Sequence, residues 1–183
     1  MMRIIAGTHR SRRLEVPESD DIRPTTDKAR EALFSMLTHA LGSWDGARIV
    51  DACCGSGALG LEAISRGAAF AVLIDSSAQA LSLARRNAEG LKEQGKCRFL
   101  ATSVLNPPQA DEPCDVILMD APYNKGLSEA GLTALTQAGW AGSAALAVIE
   151  VARDESFTPP AGWRFLREKE HGPARLILLE RSA

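Results

Sequence analysis

Apolar residues in this chain come in short unbroken blocks, separated by longer stretches in which apolar positions recur at helical spacing. The blocks predict strands at 48–52, 70–75, 97–102, 115–120 and 144–151. Between them the 3.6-residue period predicts helices at 58–66, 77–94 and near 127–138. An earlier helix is expected over 26–41, with Ala29, Leu33, Leu37 and Ala40 on one face. Thr25 or Thr26 can cap it, and Gly42 can end it. Two short strands, 3–6 and 13–16, precede that helix, and 163–168 and 176–179 read as a closing hairpin turned at His171-Gly172-Pro173. Strands alternating with helices imply an α/β fold whose largely parallel sheet is covered on both faces. Neither an internal repeat nor a low-complexity linker interrupts the pattern.

The strand at 115–120 ends abruptly in Asp120-Ala121-Pro122-Tyr123. Ligands of open α/β sheets bind outside the carboxyl ends of the strands. Asp120 offers an acceptor there and the carbonyl of Ala121 offers a second. Pro122 biases Ala121 toward extended backbone, which helps to aim that carbonyl. Tyr123 supplies a flat face for stacking. Two acceptors beside an aromatic platform suit an amino group on a flat ring or an amide. A strand running into an ordinary Asp-Pro turn is the bland alternative.

A second signal lies at Gly55-x-Gly57-x-x-Gly60, between a strand and a helix. Glycines there let a ligand approach the backbone. Asp75 stands 20 positions after Gly55, at the end of the next apolar run, where a carboxylate can accept from ribose hydroxyls. Strand, glycine turn, helix, strand and acid together predict a nucleoside cofactor. A dehydrogenase that uses NAD usually begins with the glycine strand; here a long segment precedes it. Asp51 before the glycines and the Asp-x-Pro-Tyr after a later strand resemble instead the S-adenosylmethionine-dependent methyltransferases that act on amino groups.

Composition narrows the class. At 183 residues, with 45% hydrophobic and 24% charged, the chain suits one globular domain with a sizeable core. No apolar run reaches the roughly 18–20 residues of a membrane span. The opening Met-Met-Arg-Ile-Ile-Ala-Gly is too short and too soon polar for a secretory signal, so the cytoplasm is expected. Cys53, Cys54, Cys97 and Cys114 form no Cys-x-x-Cys pair and have no partnering His spacing, so neither a disulfide nor a metal is expected. Net charge is −2, which does not advertise nucleic acid, but Arg3, Arg10, Arg12 and Arg13 cluster with no acid among the first thirteen residues. Such an arm can position a phosphate backbone or be a solvated extension. Residues 1–25 are therefore set apart as a basic extension from a domain over 26–183. Trp44, Trp140 and Trp163 read as packing anchors.

A narrower resemblance joins these pieces. Arg3-Ile-Ile-Ala-Gly7, Arg12-Arg13-Leu14 with Pro17, Arg23-Pro-Thr25 and Arg30-Glu-Ala-Leu-Phe34 resemble the RsmD family. So do Gly55-Ser-Gly-Ala-Leu-Gly-Leu-Glu-Ala63 and the Asp120 motif, so the likeness covers nearly the whole chain. Members methylate the N2 amino group of one guanine in bacterial 16S ribosomal RNA. The resemblance implies a class I, Rossmann-like fold: a seven-stranded, mostly parallel sheet with helices on both faces, a terminal antiparallel hairpin and a small N-terminal β extension. It implies S-adenosylmethionine held by Asp51, Gly55, Ser56, Gly57, Asp75, Ser76, Ser103 and Asp120. It implies catalysis at Asp120, Ala121, Pro122 and Tyr123, and RNA contacts from Arg3, Arg10, Arg12, Arg13, Arg23, Thr25 and Tyr123. A monomer acting on RNA within a small-subunit assembly is expected, with no membrane and no metal involved.

The chain departs from the family pattern at three places. Ala121 stands where the family has Pro, Ala52-Cys53-Cys54 replaces a bulkier Leu-Phe-Ala, and Ser103 stands where many relatives carry Asp. Asn106-Pro-Pro-Gln109 imitates the amino-methylating signature but lacks the aromatic fourth residue, and reads as a loop. Methylation of DNA adenine or of a protein glutamine fits the same motifs without the N-terminal block, and a noncatalytic cofactor- or RNA-binding module is the alternative of a different class.

Overall fold

The computed structural model describes residues 2–17 and 26–182. Arg23 and Thr25 lie outside the described residues. Four helices and nine strands follow in order among the described residues: β1 Met2–Arg3, β2 Arg13–Leu14, α1 Asp27–Leu41, β3 Arg48–Ala52, α2 Ala58–Arg66, β4 Phe70–Asp75, α3 Ala78–Leu91, β5 Cys97–Ala101, β6 Cys114–Asp120, α4 Leu127–Gln137, β7 Ala141–Ala152, β8 Trp163–His171 and β9 Ala174–Arg181.

Seven strands form one sheet in the order β5-β4-β3-β6-β7-β9-β8. Strands β3 to β7 pair in parallel, and β9 lies antiparallel between β7 and β8. The chain starts at the middle with β3, builds outward through β4 and β5, then returns to lay β6 on the other side of β3. That reversal makes the β3/β6 junction the switch point of the sheet. Register aligns the two carboxyl ends, with Asp51 opposite Leu118 and Ala52 opposite Met119. The glycine turn and the Asp120 motif therefore leave the sheet side by side.

Alternation along each strand sorts the core into two layers. Ile49, Leu73, Val116 and Leu118 face α1, α2 and α3, whereas Val50, Ile74, Ile117 and Met119 face α4. Helices cover both faces, three on one and one on the other. Near-continuous apolar runs arise because parallel strands are buried on both sides. α1 starts where Thr26 accepts from the Ala29 N–H at 3.2 Å and stops at Gly42. Each tryptophan indole donates inside the packed structure: Trp44 to Thr38, Trp140 to the carbonyl of Pro108 and Trp163 to Thr136. The Trp140 bond ties down the loop that carries Asn106-Pro-Pro-Gln109.

The N-terminal arm packs on the helices instead of extending the sheet. Met2, Ile4 and Leu14 bury against Ala58 and Leu61 of α2 and Ala88 and Leu91 of α3. Ile5 and Ala6 donate their N–H groups to the buried Glu62 carboxylate at 2.7 and 3.0 Å. This is why β1 stops at Arg3 although the apolar pattern continues to Ala6. Gly7 crosses the end of α2 with φ of 85°, and a Cβ built there would lie 1.8 Å from the Ser65 carbonyl oxygen. Only glycine fits that crossing.

Candidate active site

A cleft of about 970 Å³ runs along the carboxyl edge of the sheet. Ser103 after β5, then Asp75 at the end of β4 with Ser76 and Ser77 beyond it, line one half of it. Cys53 and Gly55 form the middle. Asp120 to Tyr123, Glu150 and Ala152 at the end of β7, and the β8–β9 turn from His171 to Ala174 line the other half. Thr26 and Ala29 close it from α1.

The glycine turn is held from below. Cys54 donates its N–H to the Ile74 carbonyl at 2.9 Å, and Gly57 donates to the Cys54 carbonyl at 2.7 Å. Asp51 is buried beneath the turn, where one carboxylate oxygen accepts from the Gly60 N–H at 2.8 Å. Burial pushes the Asp51 carboxyl well above its ordinary range; the Gly60 bond opposes that shift, while the charges of Asp120 and Asp75 add to it. Ser56 is also buried, and its carbonyl accepts from Asn87 at 2.9 Å. Asp51, Ser56 and Gly57 thus brace the turn and are not on the cleft wall, whereas Gly55, Asp75, Ser76, Ser103 and Asp120 are.

Asp75 does two jobs at once. Its oxygens accept from the N–H of Gly55 at 2.9 Å and of Ser77 at 2.9 Å, tying the turn to the start of α3. A carboxylate has lone pairs for further donors, so hydroxyls reaching into the cleft can still be accepted. A Cβ built at Gly55 would meet nothing within 4 Å, so the turn faces open space there. An acid at a strand end beside a side-chain-free turn fits a ribose and the chain attached to it. Ser103 Oγ accepts from the Leu105 N–H at 3.2 Å, which fixes the rim of this half. Burial, reinforced by the charges of Asp75, Asp51 and Asp120, pushes the Cys53 thiol up to about 12 and keeps it protonated.

In the other half, Ala121 is buried while Pro122 and Tyr123 are exposed. The Tyr123 hydroxyl donates to Glu150 at 2.5 Å, so the ring is held by a carboxylate of the neighbouring strand. Glu150 was not among the residues expected from sequence, nor were Cys53, Thr26 and His171 as parts of a cleft wall. Like Asp120, Glu150 is an acid near the carboxyl end of an apolar strand, but Val151 and Ala152 follow it within the strand and mask that signal.

The arginines of the arm lie elsewhere. Arg3 donates to Asp27 at 3.2 Å and Arg12 to the Gly90 carbonyl at 2.8 Å, while Arg10 and Arg13 are exposed. None of these four lines the cleft. Among the described residues, no group of three or more His, Cys, Asp or Glu could hold a metal ion, and no helix is long and apolar enough to cross a membrane.

Residues 2–180 match the family model described as conserved hypothetical protein 95. The ribosomal RNA small subunit methyltransferase D of Escherichia coli (strain K12) is 36% identical over 184 aligned residues, covering 100% of this chain and 91% of the relative. The protein of the same name from Haemophilus influenzae is 31% identical, covering 93% and 89%. Among solved structures, one titled "Putative methyltransferase yhhF from Escherichia coli" superposes with a TM-score of 0.87 at 34% identity, covering 100% of this chain and 98% of that one.

Proposed function

Because the chain belongs to the RsmD family of methyltransferases and has their class I fold, we propose that it transfers a methyl group from S-adenosylmethionine to the N2 amino group of one guanine in 16S ribosomal RNA. The observation that carries this reading is the Asp120-Ala121-Pro122-Tyr123 turn, which lines the same cleft as the glycine turn and Asp75. The names of the relatives support ribosomal RNA as the substrate class. When bound, the cofactor supplies an electrophilic methyl on a sulfonium.

Everything else falls to the chain. Asp75 and the Gly55 backbone hold the ribose and its attached chain, with Ser76 and Ser103 at the adenine end. Asp51, Ser56 and Gly57 keep the turn in shape from beneath. The guanine N2 lone pair is delocalised into the ring and is a poor nucleophile. Hydrogen bonds from its two hydrogens to Asp120 and to the Ala121 carbonyl draw the nitrogen toward a tetrahedral geometry. Tyr123 stacks on the base, Pro122 helps to aim the carbonyl, and the pair is held in line with the methyl. Such orientation is worth roughly 7–11 kcal/mol. The target base must be unpaired or flipped out to reach the cleft. Arg3, Arg10, Arg12, Arg13 and Arg23, with Thr25, contact the RNA backbone of a small-subunit assembly that a monomer approaches in the cytoplasm.

Mass spectrometry of ribosomal RNA from cells with and without the gene tests the reading. Loss of one N2-methylguanine from 16S RNA is expected, restored by the wild-type gene and not by Asp120→Ala. Unchanged RNA with methylation lost from DNA or protein instead would reassign the acceptor.

A further inference from the structure

We propose that Glu150 reads the acceptor base, accepting the ring N–H that in guanine lies beside the amino group and so excluding amino bases that have a lone pair at that place. The inference rests on the methyl-transfer reading above and names the group that makes the base a guanine. Three observations carry it. First, β6 and β7 pair in parallel with Asp120 opposite Glu150, so two acids stand in register on adjacent strands, at the end of β6 and near the end of β7. Neighbouring strands lie about 4.8 Å apart, so the two side chains are near enough to converge on one base edge. Second, both residues line the cleft, and Glu150 is only 5% exposed, so its carboxylate is largely shielded from bulk water. Third, the Tyr123 hydroxyl donates to Glu150 at 2.5 Å, which fixes the carboxylate relative to the ring on which the base would stack.

The chemistry of the bases does the rest. Adenine N6 and cytosine N4 each stand beside a ring nitrogen that is an acceptor. Guanine N2 stands beside N1, which carries a hydrogen. With the amino group seated on Asp120 and the Ala121 carbonyl, a neighbouring carboxylate meets N1–H as a hydrogen bond in guanine. In adenine or cytosine it meets a lone pair. A carboxylate accepts from several donors, so one group can hold the Tyr123 hydroxyl and the base together. Sites built to bond a substrate hydrogen discriminate strongly against analogues that lack it, because buried polar groups are then left unpaired.

Small subunits from cells lacking the gene are the probe, together with subunits carrying adenine in place of the methylated guanine. Wild-type protein should prefer the guanine subunits by at least about 100-fold in kcat/KM. Glu150→Gln should lower kcat on guanine at least about tenfold, leave cofactor affinity within about twofold, and shrink the guanine preference. Tyr123→Phe removes the hydroxyl and keeps the ring and the acid, so its guanine preference should persist. Glu150→Asp, which keeps the charge, should retain the preference at reduced kcat and serves if Glu150→Gln does not fold. The inference is overturned if Glu150→Gln keeps the wild-type guanine preference or the wild-type kcat, if Glu150→Asp in its place loses the preference or keeps wild-type kcat, or if Tyr123→Phe reproduces the whole loss of preference. Absence of methylation of guanine subunits by the wild-type protein would instead bring down the methyl-transfer reading itself.

Discussion

Glu62→Ala should undock the N-terminal arm while leaving the cleft formed. Glu62 is fully buried in α2 and holds three donors: the N–H groups of Ile5 and Ala6 at 2.7 and 3.0 Å and the Arg66 side chain at 2.9 Å. Removing one partner of a buried charged pair costs about 3–5 kcal/mol, because the remaining charge is left uncompensated. Ile5 and Ala6 are only half-buried and can be partly rehydrated, which favours the lower end. Arg66 also retains its place over the Phe34 ring, 4.7 Å from the centroid, which limits its loss. Against a total stability of roughly 5–15 kcal/mol the loss is large. In a domain of this size it lowers Tm by roughly 6–20 °C. Glu62→Gln keeps one acceptor oxygen but turns an NH2 toward a donor, and should fall between the two. Thermal melts followed by circular dichroism measure the loss, and limited proteolysis near residue 10 reports release of the arm. Cofactor affinity should change less than RNA affinity. A melt within about 2 °C of wild type, under 1 kcal/mol on the same scale, would refute the view that this carboxylate holds the arm.

Three further outcomes follow from the same geometry. Asp75→Asn should weaken cofactor binding at least about tenfold by calorimetry, since it loses about 1.5–3 kcal/mol of charge-assisted hydrogen bonding; unchanged affinity would remove Asp75 from the ribose site. Ala121→Pro restores the double proline of the family pattern and should raise stability by about 0.4–1 kcal/mol with kcat preserved, whereas loss of folding would mean that the Ala121 N–H is needed. Burial holds the Cys53 and Cys97 thiols up to about 12 and Cys114 up to about 11. Unfolded thiols ionise near about 8.5. The folded state is therefore favoured below that pH, and its advantage is lost as pH rises toward 11–12. Denaturation midpoints should fall across that window, and a Cys53→Ser, Cys97→Ser, Cys114→Ser variant should flatten the fall.

The parallel strands and their helices were legible because burial on both faces writes an apolar run that needs no partner to be recognised. The residues 48–52, 58–66 and 70–75 match the structure at both ends. Boundaries set by distant groups were not legible. The arm's first strand reads as 3–6, yet Glu62, far away in sequence, takes the N–H groups of Ile5 and Ala6. The helix read as 77–94 ends at Leu91, where Lys92 adopts a left-handed φ of 62° and donates back to Ala88 and Glu89. Strand β7 begins at Ala141, ahead of its apolar stretch, because Cys114 pairs with Ala141 across a register shift. No local composition encodes that partner.

The candidate site divides along the same line. Asp75 and Asp120 were legible because each ends an apolar run and is followed by polar or turn residues, so the strand end shows in the sequence. Glu150 has the same place in its strand, but Val151 and Ala152 prolong the apolar run and hide the edge. Only the register with Asp120 reveals that it has reached the cleft. Asp51 shows the converse. It stands in the motif where a cofactor contact is expected, yet its side chain passes beneath the turn to the Gly60 N–H. Motif spacing fixes which residues are neighbours along the chain. Which face of the turn each one serves is decided by the strand's alternation and by the buried N–H that has no other acceptor. For a carboxylate at a strand end, the useful question is therefore which backbone donor it satisfies before any ligand arrives. Asp51 is committed to the fold by that criterion, while Asp75 is committed to the fold and placed on the cleft wall as well.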